Sequence, residues 1–238
     1  MKKLAVVTGA NRGLGFETCR QLAQRDIQVI LTSRDRVKGQ TAVDKLQAEK
    51  LDVKYHPLDV TNPESIESLS QFISKEFGHL DILVNNAGIL TDWVENPDGD
   101  IFKAKVDTLR QTIETNVYGP LQLCQQLIPL MKVQNYGRVV NLSSSLGKLS
   151  SNMDFTVFPT YGITKTAVNA VTVLFANALK DTNILINSVN PGWVQTDMGG
   201  PHAIRTIAEG VDTIVWLATL PDGGPTGGFF QDKNLITW

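Results

Sequence analysis

The chain has 238 residues, 42% of them hydrophobic, and a formal charge of −2 from 22 basic and 24 acidic residues. That length and apolar content suffice for one large core, and the even mixing of charges argues against a nucleic-acid or membrane-surface binder. Two distant cysteines, Cys19 and Cys124, and three scattered histidines offer no metal-ligand spacing, so no metal is expected. No apolar run is long enough for a leader or a membrane span, and the expected setting is cytoplasmic.

In chain order, the run Leu4-Ala5-Val6-Val7 reads as a short buried strand that ends in a glycine turn. Helical recurrence follows from Phe16 to Ala23. A strand is expected at 27–32, a polar helix at 37–49, a strand at 53–56, a helix at 63–77 and a strand at 80–85. A long helical pattern covers 102–131 and precedes a strand at 137–142. A helix at 161–180 leads to a strand at 184–189, and a helix at 204–218 and a strand near Phe229 close the chain. This alternation implies right-handed crossovers and an α/β fold: a doubly wound, Rossmann-type parallel sheet of about seven strands with helices on both faces. With no repeat and no linker, residues 1–238 read as a single domain.

Ligands of such sheets bind outside the carboxyl ends of the strands, so those ends carry the functional reading. The turn Gly9-Ala10-Asn11-Arg12-Gly13-Leu14-Gly15 sits where a strand hands over to a helix. Free backbone N–H groups and the positive end of a helix dipole gather there, and a pyrophosphate is the expected guest. Its spacing differs from the Gly-x-Gly-x-x-Gly fingerprint, and no Gly-Lys-Ser/Thr ending marks it as an NTPase turn. Small and polar residues end the other strands: Ser33-Arg34-Asp35, Asp59-Val60, Asn85-Asn86-Ala87-Gly88, Ser143-Ser144-Ser145 and Asn190-Pro191-Gly192. Tyr161 and Lys165 are one helical turn apart on one face. An ammonium beside a phenol favours the phenolate and lowers a pKa near ~10 toward neutrality, which suits proton transfer. A nucleophilic serine is not expected, because no Gly-x-Ser-x-Gly elbow is present.

The glycine turn, Asn85-Asn86-Ala87-Gly88, Asn116, the serine run and Tyr161-x-x-x-Lys165 together resemble the short-chain dehydrogenase/reductase family. Within it the chain is similar to the carbonyl reductase, menthone reductase and salutaridine reductase group. Ser144 and Tyr161 are too close to hold that group's long insertion before the tyrosine. The resemblance implies a catalytic set of Asn116, Ser144, Tyr161 and Lys165, with Ser143 as the alternative serine. Ser144 would hydrogen-bond the substrate carbonyl as an oxyanion donor does. Tyr161 would pass the proton, and Asn116 would complete a relay from Lys165 through water.

The same resemblance implies an NAD(P)-binding domain. Gly9, Asn11, Arg12, Gly13, Leu14 and Gly15 would hold the diphosphate, and Asp59 and Val60 would flank the adenine. Asn86, Ala87 and Gly88 would lie under the ribose. Pro191, Gly192, Val194 and Thr196 would reach the nicotinamide side, together with Tyr161 and Lys165. Ser33 stands where NAD-dependent members carry an acid, and Arg34 and Arg12 supply cations, so NADPH is expected over NADH. Asp35 is expected to point toward the following helix. Trp93, Leu146, Phe155, Phe158, Trp193 and Met198 would line the substrate site. They are apolar or aromatic with no arginine clamp, which favours an apolar ketone or aldehyde. The function implied is an NADPH-dependent carbonyl reductase. The alternatives are an NAD-linked alcohol dehydrogenase and a non-catalytic NADPH-binding regulator. A homodimer or homotetramer is expected, through helices the missing insertion leaves uncovered.

Overall fold

The computed structural model describes residues 2–150 and 157–238. The short apolar runs become β1 (Leu4–Val7), β2 (Gln28–Ser33), β3 (Val53–Pro57), β4 (Ile82–Asn85), β5 (Gly137–Leu142), β6 (Ile184–Val189) and β7 (Phe229–Gln231). Every residue of β1, β4, β5 and β6 is buried, the pattern of parallel strands covered on both sides. The spatial order is β3-β2-β1-β4-β5-β6-β7. The chain therefore winds outward from β1 to β3, then restarts on the other side of β1. Val6 pairs with Ile30 of β2 on one edge and with Leu83 of β4 on the other. The crevice at this switch point is where ligands of such sheets bind.

An eighth strand, β8 (Asn234–Ile236), pairs antiparallel with β7, one more than the seven expected. Its turn is Asp232-Lys233, both at positive φ. That is the geometry of a tight hairpin normally flagged by Asn-Gly or Asp-Gly. With no glycine in the turn and three residues in each strand, sequence pattern has nothing to register.

The helices are α1 (Gly13–Ala23), α2 (Arg36–Ala48), α3 (Pro63–Glu76), α4 (Asp92–Glu95), α5 (Val106–Ile113), α6 (Gly119–Lys132), α7 (Pro159–Ala178) and α8 (Ile207–Ala218). Strand alternation splits the core in two. Ala5 and Val7 face α1, α2 and α8, whereas Leu4 and Val6 face α3, α6 and α7. Cys19 lies in the first core and Cys124 in the second; burial raises both thiols, Cys124 to about 12. No helix among the described residues is long and apolar enough to cross a membrane.

The pattern expected as one helix over 102–131 is broken. After a 3-10 turn at Ile101–Lys103, α5 and α6 are joined by a π turn, Glu114–Tyr118, in which Gly119 N–H reaches the Glu114 carbonyl. Pro120 has no N–H for the carbonyl of Asn116, so the α-helical ladder fails at that residue. The last helix starts at Ile207, later than the expected 204, because Thr206 and Glu209 form a reciprocal capping box.

Candidate active site

The carboxyl ends of β1 and β4 are stitched together by Thr8. Its hydroxyl accepts the N–H groups of Asn86 at 3.0 Å and Ala87 at 2.9 Å. Gly9 follows at φ +61, and a Cβ there would stand 2.9 Å from Ala87 Cα, so only glycine allows this approach. The Asn86 amide donates to the carbonyls of Thr8 at 2.7 Å and Gly9 at 3.1 Å. Its side chain is thus a strut under the glycine turn, with both amide protons used there. Asn11 is half-buried on the turn, and Leu14 packs against the core. α1 then begins at Gly13 with no side-chain cap and no acid in its first turn. Uncapped N–H groups at the positive end of a dipole fit the diphosphate of a dinucleotide.

The loop after β6 forms the opposite wall. Thr196 Cγ2 lies 3.5 Å from the Cβ position at Gly13. The Thr196 hydroxyl donates to the Val194 carbonyl at 3.3 Å and accepts Gly199 N–H at 3.1 Å. Gly192 N–H donates to Asn190 Oδ1, and Val194 is buried and bridged to Arg205.

At the end of β2, Ser33 is buried and its hydroxyl donates to the Asp35 carbonyl at 2.8 Å. It fills space under α2, so what matters at this position is that no carboxylate occupies it. Asp35 points to the following helix as expected: it caps α2 by accepting Lys38 N–H at 3.0 Å, a bond that holds its carboxyl below the usual range. Arg34 and Arg36 are exposed beside it. Arg12 is also exposed and is paired with Asp197 across the turn. With no carboxylate at position 33, the exposed guanidinium groups of Arg34 and Arg36 fit a 2′-phosphate. One Asp59 carboxylate oxygen accepts Thr61 N–H at 3.0 Å and the Thr61 hydroxyl at 2.7 Å, and Val60 packs at the start of α6 against Gly119.

On α7, Lys165 is buried. Its Nζ donates to the Leu142 carbonyl at 2.7 Å and lies 5.2 Å from the centre of the Tyr161 ring. The two serines differ in direction. The Ser143 hydroxyl turns inward and donates to the Lys165 carbonyl at 3.3 Å. Ser144 is half-buried, and its oxygen accepts Leu146 N–H at 3.2 Å, an arrangement that keeps its proton available to an outside acceptor. The Asn116 side chain accepts Ile89 N–H at 2.8 Å and donates to the Ile89 carbonyl at 2.9 Å and to Thr164 Oγ1 at 3.1 Å. Both amide protons are committed to the protein. The Cβ position at Gly88 lies 3.3 Å from Asn116 Oδ1 and 3.7 Å from Lys165 Nζ, so these three residues meet at one point.

The phenolate-favouring pair expected from Tyr161 and Lys165 is not what the structure shows. Desolvation raises the Tyr161 phenol above its ordinary value and lowers Lys165 to about 8. The ammonium rests on the Leu142 carbonyl.

Sequence reasoning passed over Asp92. It is fully buried in α4 and accepts Thr160 N–H at 3.3 Å, the Thr160 hydroxyl at 2.7 Å and Tyr161 N–H at 3.0 Å. No local signal marks a pairing made across 68 residues. Among the substrate-lining residues, Trp93 packs on Phe158 with ring centres 4.4 Å apart and the planes tilted by 53°. Leu146 and Phe158 line a cavity of about 290 Å³ with Ile101, Leu149, Val157 and Ile163. Gly162, Ile163 and Thr166 form its α7 wall, so it flanks the helix face that carries Tyr161 and Lys165. Trp193 and Met198 are exposed on the separate loop after β6, where the Trp193 indole donates to the Gly199 carbonyl. Phe155 lies outside the described residues.

A profile of the short chain dehydrogenase family matches residues 3–205. Carbonyl reductase (NADPH) 1 of Mus musculus is 38% identical over 286 aligned positions covering 100% of this chain and 99% of the mouse protein. The alignment is longer than this chain, so the relative carries segments with no counterpart here. Among solved structures, salutaridine reductase from Papaver somniferum superposes with a TM-score of 0.83 at 31% identity, covering 97% of this chain and 100% of that one. NADPH-bound carbonyl reductase from chicken fatty liver superposes with a TM-score of 0.87 at 26% identity, covering 100% and 99%.

Proposed function

The chain belongs to the short chain dehydrogenase family, and on that premise we propose that Ser144, Tyr161 and Lys165 carry its chemistry. It is an NADPH-dependent carbonyl reductase, an oxidoreductase of C=O and CH–OH groups. NADPH, when bound, supplies the hydride that reaches the carbonyl carbon. The rest falls to this chain. The Ser144 hydroxyl donates to the substrate oxygen and stabilises the negative charge that develops on it. Tyr161 gives its phenolic proton to the same oxygen. The Lys165 ammonium stabilises the phenolate left behind. The observation that carries this reading is geometric: Lys165 Nζ lies 5.2 Å from the Tyr161 ring, the Ser143-Ser144 segment is held against Lys165, and the Ser144 hydroxyl keeps its proton for an outside acceptor.

Gly9, Asn11, Arg12, Gly13, Leu14 and Gly15 would hold the diphosphate, and Arg34 the 2′-phosphate. Asp59 and Val60 would border the adenine, Ala87 and Gly88 the ribose, and Pro191, Gly192, Val194 and Thr196 the nicotinamide side. Asn86 would act by holding the glycine turn, and Asn116 by holding the Ile89 loop against the π turn. All of this fits one unit over 1–238. An apolar ketone or aldehyde is the proposed substrate, in keeping with the aromatic and aliphatic side chains at Trp93, Trp193 and Met198. Exposed Val106, Tyr118 and Leu174 on α5, the π turn and α7 support a homodimer or homotetramer; light scattering at a monomer mass would refute it. Two unpaired buried thiols accord with a cytoplasmic setting.

The test is oxidation of NADPH and NADH by the purified protein against a panel of aldehydes, ketones and quinones. NADPH turnover that vanishes in Tyr161→Phe is the expected result. Full turnover in that variant refutes the assignment of the proton donor.

A further inference from the structure

We propose that Asp92 is a positioning residue for the reduction: its buried carboxylate clamps the first turn of α7 and so fixes where Tyr161 stands. The proposal rests on Tyr161 being the proton donor.

A helix start leaves its first N–H groups without partners, and a side chain at the N-cap usually takes them. In α7 the N-cap is Phe158, which provides no side-chain acceptor and sits at φ +61, a left-handed conformation that costs a bulky residue energy. The missing cap is supplied from another element. Asp92 receives Thr160 N–H on one oxygen at 3.3 Å, and the Thr160 hydroxyl at 2.7 Å and Tyr161 N–H at 3.0 Å on the other. All three partners are donors, which suits an acceptor-only carboxylate at the positive end of a helix dipole. The next residue, Trp93, packs its ring on Phe158. Asp92 and Trp93 thus hold the strained start of α7 together, both from α4.

The far side of the same turn is fixed too. Thr164 Oγ1 donates to the Tyr161 carbonyl at 2.8 Å and accepts from Asn116 at 3.1 Å. The main chain of Tyr161 is therefore gripped at its N–H by Asp92 and at its carbonyl through Thr164. Asp92 is fully buried and, through α4, lies in the loop that follows the Asn86-Ala87-Gly88 strand end. It makes no hydrogen bond to the glycine turn, so its removal should disturb proton donation while sparing dinucleotide binding.

Three variants test this: Asp92→Asn, Thr160→Val and the double variant. Asp92→Asn keeps the shape but turns one acceptor into a donor that faces a donor. It should lower kcat about tenfold or more, since small misplacements of a reacting group are costly. The KM for carbonyl and the Kd for NADPH, followed by fluorescence titration, should stay within about twofold. Thr160→Val removes only the hydroxyl and should lower kcat less. The double variant should be no slower than Asp92→Asn, because both changes break one clamp. The proposal is overturned by an unchanged kcat in either single variant, by losses that multiply in the double variant, or by NADPH affinity that falls in step with kcat. Should Asp92→Asn fail to fold, Thr160→Val decides on the same kcat and Kd split. Tyr161→Phe runs alongside: turnover surviving in it sinks the proton-donor reading, a result distinct from any failure of Asp92.

Discussion

Lys165 makes a prediction that separates what this residue does for folding from what it does for chemistry. It is 5% exposed, and among the described residues its ammonium has one hydrogen-bond acceptor, the Leu142 carbonyl. Burial lowers its pKa from 10.5 to about 8. Between pH 8 and 10.5 the unfolded chain holds a proton that the folded chain has released, so the stability contributed by this group rises with pH across that window. Below pH 8 both states hold the proton, and the cost of burying the charge is present in full. Lys165→Met keeps most of the volume and removes the charge, so the variant should be the more stable one at pH 7. With a limiting slope of about 1.4 kcal/mol per pH unit, reached above pH 8, the wild type should gain about 1.6 kcal/mol on the variant between pH 8 and 9.5. Urea denaturation of both cofactor-free proteins at pH 7, 8, 9 and 9.5 measures this, because other titrating groups cancel in the difference. Staying below pH 10 keeps the Tyr161 phenol protonated on both sides. A wild type that is more stable than Lys165→Met by a margin independent of pH would refute the reasoning. The same variant should lose turnover, the usual trade of stability for function.

The glycine turn supplies a second test: Gly9→Ala forces a Cβ against Ala87 at positive φ, and should abolish NADPH binding and cost about 1–3 kcal/mol of stability in urea. Arg34→Glu puts an acid where the 2′-phosphate is expected. It should raise the KM for NADPH about ten- to a hundredfold while leaving that for NADH unchanged or lower; an unchanged KM ratio excludes Arg34. Asn86→Leu removes both bonds to the Thr8 and Gly9 carbonyls, and should lower stability by about 2 kcal/mol and NADPH affinity together. Loss of affinity at full stability would mean that Asn86 touches the cofactor directly.

Much of this molecule is legible in its sequence because the relevant interactions are local. The run Leu4-Ala5-Val6-Val7 before a glycine turn, the alternation of strands and helices, and the four-residue step from Tyr161 to Lys165 need only neighbours along the chain to be understood. The break after Asn116 departs from the single helix expected over 102–131, although its cause, a Pro120 that withholds its N–H, is fixed by covalent structure. Burial and distant contacts decided the remainder. Tyr161 and Lys165 share a helix face by sequence, but the Leu142 carbonyl that receives the Lys165 ammonium and the Ser143 hydroxyl that bonds the Lys165 carbonyl reach them only when β5 packs on α7. Asn86 and Ser33 sit where expected, yet their side chains serve the protein's own turns. Leu146 and Phe158 belong to a cavity on the flank of α7. Asp92 has no sequence signature at all, because the donors that need it are 68 residues away and meet it only in the folded chain. A sequence states which groups are available at each strand end; which of them face a ligand, and in what ionic form, depends on what the fold leaves in contact with water.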